Sequence, residues 1–338
     1  MKPLLFIFFI ALSFAFHYKG KTFAQSNQRR EIHVHDSATL QNALNNAVAG
    51  DSIILADGIY NGLFRIPDHR DGTPTNRIVL TGSKRAILRG NTINHGYVLY
   101  VINNAYWTIK GFTITNGLKG LMMDWDTHCI IEDMSIYSVG EEAIHLRKFS
   151  SNNTISNTEI CNTGLKSPGF GEGIYIGSAK NHWDDEGIKG RPDACDSNAV
   201  LHCQIGPNVT AESIDIKEGT TGGIIRGNFF DATGISGDNY SNSWVDVKGN
   251  GYLLENNTGF NPPGSQLIDG YRVQVQVQGW GNNNVFRNNR GNVNSSGYGV
   301  KIQLLGSNGT TTGNKVYPNN KFTGTKKGLA NIPLAESN

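Results

Sequence analysis

The chain of 338 residues carries 30 Lys and Arg against 28 Asp and Glu, a net charge of +2 with no basic run, which argues against nucleic acid as a partner. With 41 glycines, frequent asparagine and only 17% charged residues, it is ill suited to long helices and well suited to short strands joined by tight turns.

In chain order, Lys2 is followed by the apolar run Pro3 to Phe16, and Thr22 and Ala24 place small residues at a cleavage point. Residues 1–24 therefore read as a signal peptide, too short for a membrane span. The remainder, 25–338, is expected to be one secreted domain, periplasmic or extracellular, with no membrane span. Asp36 to Leu44 reads as a short capped helix, and Ser52 to Leu55 as a strand following the Ala49-Gly50-Asp51 turn. A small helix feeding a first strand suits a lid over the open end of a strand stack.

From about residue 76 a theme recurs: a short alternating strand, a turn, then a second piece bearing Asn. The strands include Ile144 to Arg147, Ile174 to Gly177, Ile214 to Lys217, Val245 to Lys248 and Val300 to Gln303, with Val273 to Gln278 as a further alternating segment. Period-2 alternation puts Ile, Val and Leu on one face and polar residues on the other. A recurring unit of this kind cannot bury its apolar face alone, so neighbours must stack. The predicted fold is all-β, a single-stranded right-handed parallel β-helix with a short N-terminal capping helix. Asn recurring at the turns suits both side-chain amide ladders and positive φ. Four cysteines, Cys129, Cys161, Cys195 and Cys203, permit two disulfides in an exported chain. Two inserts, 178–197 and 231–243, interrupt the stack and are expected to wall one face. A capped stack suggests a monomer.

Stacking aligns the outward residues into columns. One reads His145, Tyr175, Asp215, Asp246 and Lys301; a second reads Arg147, Gly177, Lys217, Lys248 and Gln303; Glu142, Glu172 and Glu212 precede the strands. Like charges stacked across neighbouring strands repel, so the acids need a bridging cation. A bland reading, solvated salt-bridge ladders, competes with a functional one. In the functional reading Glu172, Glu212, Asp215 and Asp246 hold Ca²⁺ and an acidic polysaccharide binds alongside. Cleavage of a uronate by β-elimination needs a neutralised carboxylate, a base for the C5 proton and stabilisation of the enolate. Lys217 is the first candidate base, with Lys248 and Arg147 next, for base or carboxylate clamp. Nearby acids would raise the Lys217 pKa unless a metal engages them. His145, Tyr175, Trp244, Gln276 and Lys301 are candidate substrate contacts.

The segments AGDSIILADGIYNG at 49–62 and AESIDIKEGTTGGIIRGNFF at 211–230 resemble secreted parallel β-helix proteins of the pectate-lyase-like superfamily. The nearest groups are polysaccharide lyase families 6 and 9. The resemblance implies a lysine base and acidic Ca²⁺ ligands, carried here by Lys217, Glu212 and Asp215. It also brings in Arg226, near where family 6 places Lys and Arg. The spacing here, Glu-x-x-Asp-x-Lys, departs from the E-x-E of family 6. A uronate C5-epimerase would use the same proton abstraction, and a carbohydrate-binding surface protein would use the groove without chemistry. A polygalacturonase-like hydrolase would need paired Asp acids, and its Gly-His-Gly and Arg-x-Lys motifs do not occur.

Overall fold

The computed structural model describes residues 30–336, so the expected signal peptide at 1–24 lies outside them. Three parallel sheets of 11, 10 and 9 strands run side by side along the molecule. Each coil gives one strand to each sheet in turn. Thr154–Ser156 enters the 11-stranded sheet, Glu159–Cys161 the 10-stranded and Ile174–Ile176 the 9-stranded, before Ala199–Leu201 opens the next coil. This is the parallel β-helix that the alternation predicts.

The inward columns of the 9-stranded sheet explain its register. Ile144, Ile174, Ile214, Val245, Tyr271 and Val300 pair in succession, as do Leu146, Ile176, Ile216, Val247, Val273 and Ile302. All are 1% exposed or less. Slipping any strand by one residue would exchange this core for charged side chains, so register is strongly specified. At the N-terminal end, helix Ser37–Asn45 starts at Asp36, whose side chain accepts from Thr39 N at 2.7 Å, and buries Leu40, Ala43 and Leu44 against the first strands.

The asparagines divide their labour between two turns. Asn153, Asn198, Asn284 and Asn314 precede strands of the 11-stranded sheet, whereas Asn228, Asn257, Asn289 and Asn320 follow them. The second set forms a buried amide ladder with Nδ2–Oδ1 distances of 3.0, 2.9 and 2.9 Å. Positive φ is carried by the residue before, Gly227, Asn256 and Asn288. The ladder amides also donate back to Val200, Ile225, Leu254 and Phe286 O in the preceding coil, while those of the first set satisfy the turn carbonyls of Asp126, Ser150, Gly249 and Gly281.

Two expectations are corrected. The four cysteines are free rather than paired, with Cys129, Cys195 and Cys203 buried and Cys161 partly exposed. The alternating segment from Val273 to Gln278 is not the strand of its coil: the strand is Asp269–Val273, and Gln274 to Gln278 run on as a loop. Pairing decides this, because Val245 faces Tyr271 and Val247 faces Val273. Among the described residues no helix is long and apolar enough to cross a membrane.

Candidate active site

The 9-stranded sheet presents three outward columns. The first runs Arg65, Tyr100, Met122, His145, Tyr175, Asp215, Asp246, Arg272 and Lys301 in continuous register. Beside it Lys217 and Lys248 follow the strands, and on the other flank Glu142, Glu172 and Glu212 precede them. Over the middle coils these columns form the floor of a cleft of about 490 Å³. The floor is Glu172, Tyr175, Glu212, Asp215, Lys217, Asp246 and Lys248. One wall is Phe170 with Asn239 and Tyr240; the other is 179–182 with Glu218, Gln274 and Gln276. The walls stand at the two ends of the strands, so the cleft runs along the helix axis.

The second wall is held by its own contacts. Asp193, wholly buried, accepts from Lys148 N, Phe149 N and Ser178 Oγ at 2.9, 2.7 and 2.6 Å, which ties the 178–197 insert to the stack. Glu218 Oε1 accepts from Lys180 N at 2.7 Å, and Lys180 Nζ reaches Gln276 O at 3.1 Å.

At the centre, Asp215 is gripped by two ammonium groups, Lys217 Nζ on Oδ2 and Lys248 Nζ on Oδ1, each at 2.6 Å. Lys248 also meets Asp246 Oδ2 at 2.8 Å. Burial alone would neutralise these groups, but the mutual attraction wins: Asp215 is held below the usual carboxylate range and both lysines above their usual value. Lys217 Nζ lies 4.7 Å from the centre of the Tyr175 ring. Burial, then the Asp215 charge, pushes the Tyr175 hydroxyl well above 10, so it keeps its proton at neutral pH.

Glu172 and Glu212 have no such cationic grip. Burial first, then neighbouring acids, raises Glu172 far above the usual range and Glu212 to about 8. Oε2 of Glu172 is buried without a hydrogen-bond partner, as are Oε2 of Glu218 and Oδ1 of Asp246. Glu172, Glu212 and Asp215 each offer an oxygen, all within 4.8 Å of one another. An all-oxygen carboxylate set with an orphaned buried atom is the donor chemistry that suits a hard divalent cation.

The family model for the right-handed β-helix region matches residues 71–182. An alginate lyase from Paenibacillus sp. str. FPU-7 is 38% identical, with a TM-score of 0.78 over 90% of this chain and 99% of its own. The chain belongs to the parallel β-helix polysaccharide lyases. Pectate lyase Pel9A shares the fold at 16% identity, with a TM-score of 0.64 over 88% of this chain and 72% of that one. A rhamnogalacturonan lyase does so at 11%, with 0.55 over 84% of each. No curated protein matches.

In this lyase the cleft brings together Lys217, Lys248, Tyr175, Gln276, Glu172, Glu212, Asp215 and Asp246. Asp246 is not in the three-acid cluster; its Oδ2 meets Lys248 and Gln274 Nε2, both at 2.8 Å, and its Oδ1 is buried without a partner. The other expected site residues lie elsewhere. Arg147 is two strands away, locked to Asp124 through Nε at 2.6 Å. His145 stands one strand before Tyr175 on the same outward column, buried beside the cleft, its ring 4.5 Å from Tyr175 and Nε2 3.0 Å from Gly177 O; it supports Tyr175. Lys301 lies two strands past Asp246, over the Tyr298 ring at 5.1 Å. Arg226 belongs to the 11-stranded sheet, on another side of the helix, and pairs with Glu255 at 2.6 Å.

Trp244 is core. It is fully buried, and Gly259, Gly270 and Gly291 make room for its ring: a Cβ on any of them would come within 2.5, 2.8 and 2.8 Å of it. Those three glycines are the sequence signal that the tryptophan points inward. Phe170, Lys180, His182, Glu218 and Gln274 also line the cleft and were not singled out. The Pro168-Gly169-Phe170 turn, just before the outward Glu172, was the available hint for one wall.

Proposed function

We propose that this lyase cleaves alginate, or a polyuronate close to it, by β-elimination in the cleft over Asp215. The observation that carries this is the joining, in one cleft of a chain 38% identical to an alginate lyase, of Lys217, Tyr175 and the three-acid cluster. Lys217 is an ammonium while paired with Asp215; once that pair opens and its proton is lost, the Nζ amine takes the C5 proton. The electron pair left behind forms the C4–C5 double bond, the C4–O4 bond breaks, and the departing O4 takes the Tyr175 hydroxyl proton. Tyr175 keeps its proton at neutral pH, so the hydroxyl is present to give it. Lys248, buried between Asp215 and Asp246, stays protonated and keeps Asp215 in place. Glu172, Glu212 and Asp215 would hold Ca²⁺. Bound there, it would supply positive charge for the uronate carboxylate and would weaken the hold of Asp215 on the Lys217 proton.

We further read the protein as an exported monomer, in keeping with the signal-peptide pattern at 1–24 and a substrate too large to enter a cell. The test is incubation with alginate, pectate and a neutral glucan, each with Ca²⁺ or with EDTA, following absorbance of the unsaturated uronate. Absorbance is expected to rise on alginate and to fall away with EDTA. No rise on any uronate polymer would remove the proposal.

A further inference from the structure

The cleft is polar on its floor and along one wall. The exception is the rim made by Phe170 and Tyr240, which are 54% and 80% exposed. Tyr240 is the most exposed large hydrophobic side chain among the described residues. Exposure of this kind gains nothing for folding. Its backbone is also held in an unfavourable state: Asn239 and Tyr240 both have left-handed φ, 52° and 66°. Asn tolerates that region; a bulky residue does so only when its surroundings impose it.

The surroundings here are specific. Asn239 Nδ2 donates to Gly169 O at 3.1 Å, and Ser241 N closes the turn onto Asp238 O at 3.0 Å. Position 169 must be glycine for the two turns to meet, because a Cβ there would come within 2.9 Å of the Asn239 Cβ and 3.2 Å of the Asp238 Cβ. The strained turn therefore holds an aromatic ring out at the cleft edge, where it buries nothing of its own. The third aromatic ring of the cleft, Tyr175, has Lys217 over one face and His145 packed against it.

We infer that Phe170 and Tyr240 form a sugar-stacking subsite, Tyr240 taking the apolar C–H face of a pyranose next to the bond being cleaved. This rests on the lyase reading and adds a residue to it. A uronate residue has a charged edge and an apolar ring face. The acids and ammonium groups of the floor can answer only the edge, and the rim supplies a partner for the face. The ring acts through its face and not through its hydroxyl. Gly169 and Asn239 act as positioning residues for it.

The test compares Tyr240→Ala, Tyr240→Phe and Gly169→Ala with wild type, measuring kcat and KM on alginate and retardation in native gels cast with alginate. With Tyr240 so exposed, its two variants should melt as wild type does. Tyr240→Ala should raise KM roughly tenfold, the worth of one aromatic stacking contact, with kcat within about twofold and gel retardation weakened. Tyr240→Phe should match wild type, and Gly169→Ala should fall between. Equal losses in Tyr240→Phe and Tyr240→Ala would assign the effect to the hydroxyl and overturn the inference, as would an unchanged KM and retardation in Tyr240→Ala. If wild type is retarded by alginate but releases no unsaturated product, the lyase reading fails and the gel comparison still decides the rim. If wild type is retarded by no uronate polymer, the rim proposal is overturned as well.

Discussion

Two stretches of the same sheet face settle their charges differently. In the coils before the cleft the buried acids Asp124 and Glu142 each have cations of their own. Asp124, wholly buried, accepts from Arg147 and from Tyr100 Oη at 2.7 Å, and Lys148 Nζ stands 3.4 Å away as a second cation. Glu142 is hydrogen-bonded by Lys119, with His145 at 3.5 Å. Burial works against its ionisation, but those two partners hold it down to about 2. In the cleft coils, on columns of the same register, Glu172 and Glu212 have no cation in contact and sit far above their usual range or at about 8. The fold is identical in the two stretches. Unbalanced charge and two walls make one a site, while balanced pairs make the other a wall of the solenoid.

That contrast can be broken by substitution. Asp124→Ala leaves Arg147 and Lys148 without their acid, and should cost about 3 kcal/mol or more in urea unfolding while activity per folded molecule is kept. A loss of activity at unchanged stability would place Asp124 in the site instead. Calcium sharpens the other side: at about a hundred times its Kd it should stabilise the wild type by roughly 2.7 kcal/mol in thermal melts. Glu172→Gln or Glu212→Gln should remove that gain. A melt indifferent to Ca²⁺, or one whose gain survives both variants, would count against the three-acid ligand set.

Smaller effects separate the two glutamates themselves. Glu142→Gln removes an ionised acid from Lys119 and should cost about 1–3 kcal/mol. Glu172→Gln, without Ca²⁺, replaces a protonated acid by its neutral isostere and should fall within about 0.5 kcal/mol of wild type. Equal costs would mean that the two acids carry the same charge. Because the folded pKa of Glu142 is lowered from 4.5 to about 2, its contribution is present above pH 4.5 and is lost as pH falls through 2. The stability gap between wild type and Glu142→Gln should therefore shrink on acidification below pH 4.5. A gap constant down to pH 3 would contradict the ion pair.

How much of this the chain discloses by itself depends on whether a residue obeys the two-residue period. Tyr175, Asp215, Lys217, Asp246 and Lys248 lie on strands or just past them, so alternation alone puts them on one face. Gln276 reached the cleft from a loop, although the alternation around it reads as strand. Arg272 was hidden for the same reason: the Val-Gln repeat outcompetes Asp269–Val273 as a strand on propensity, and only the packing of Tyr271 against Val245 reverses the choice. Trp244 breaks the period by turning into the core at the corner of its strand, where glycines of neighbouring strands leave it space. Arg226 shows a third limit. Outwardness is legible from alternation, but which of three sheets a strand joins is set by turn lengths, and Arg226 faces out from the wrong sheet. The rest of the walls, from the turns at 168–170, 179–182 and 238–240, carries no period.

The claim that the cleft coils do the chemistry while their neighbours only hold the wall is tested most directly by one rate comparison. Formation of unsaturated uronate from alginate should fall roughly a thousandfold in Lys217→Ala, as expected when a proton-transfer group is removed. In Arg147→Ala, corrected for the folded fraction, it should stay within a few-fold of wild type. Matching losses in the two variants, or full activity in Lys217→Ala, would contradict the account.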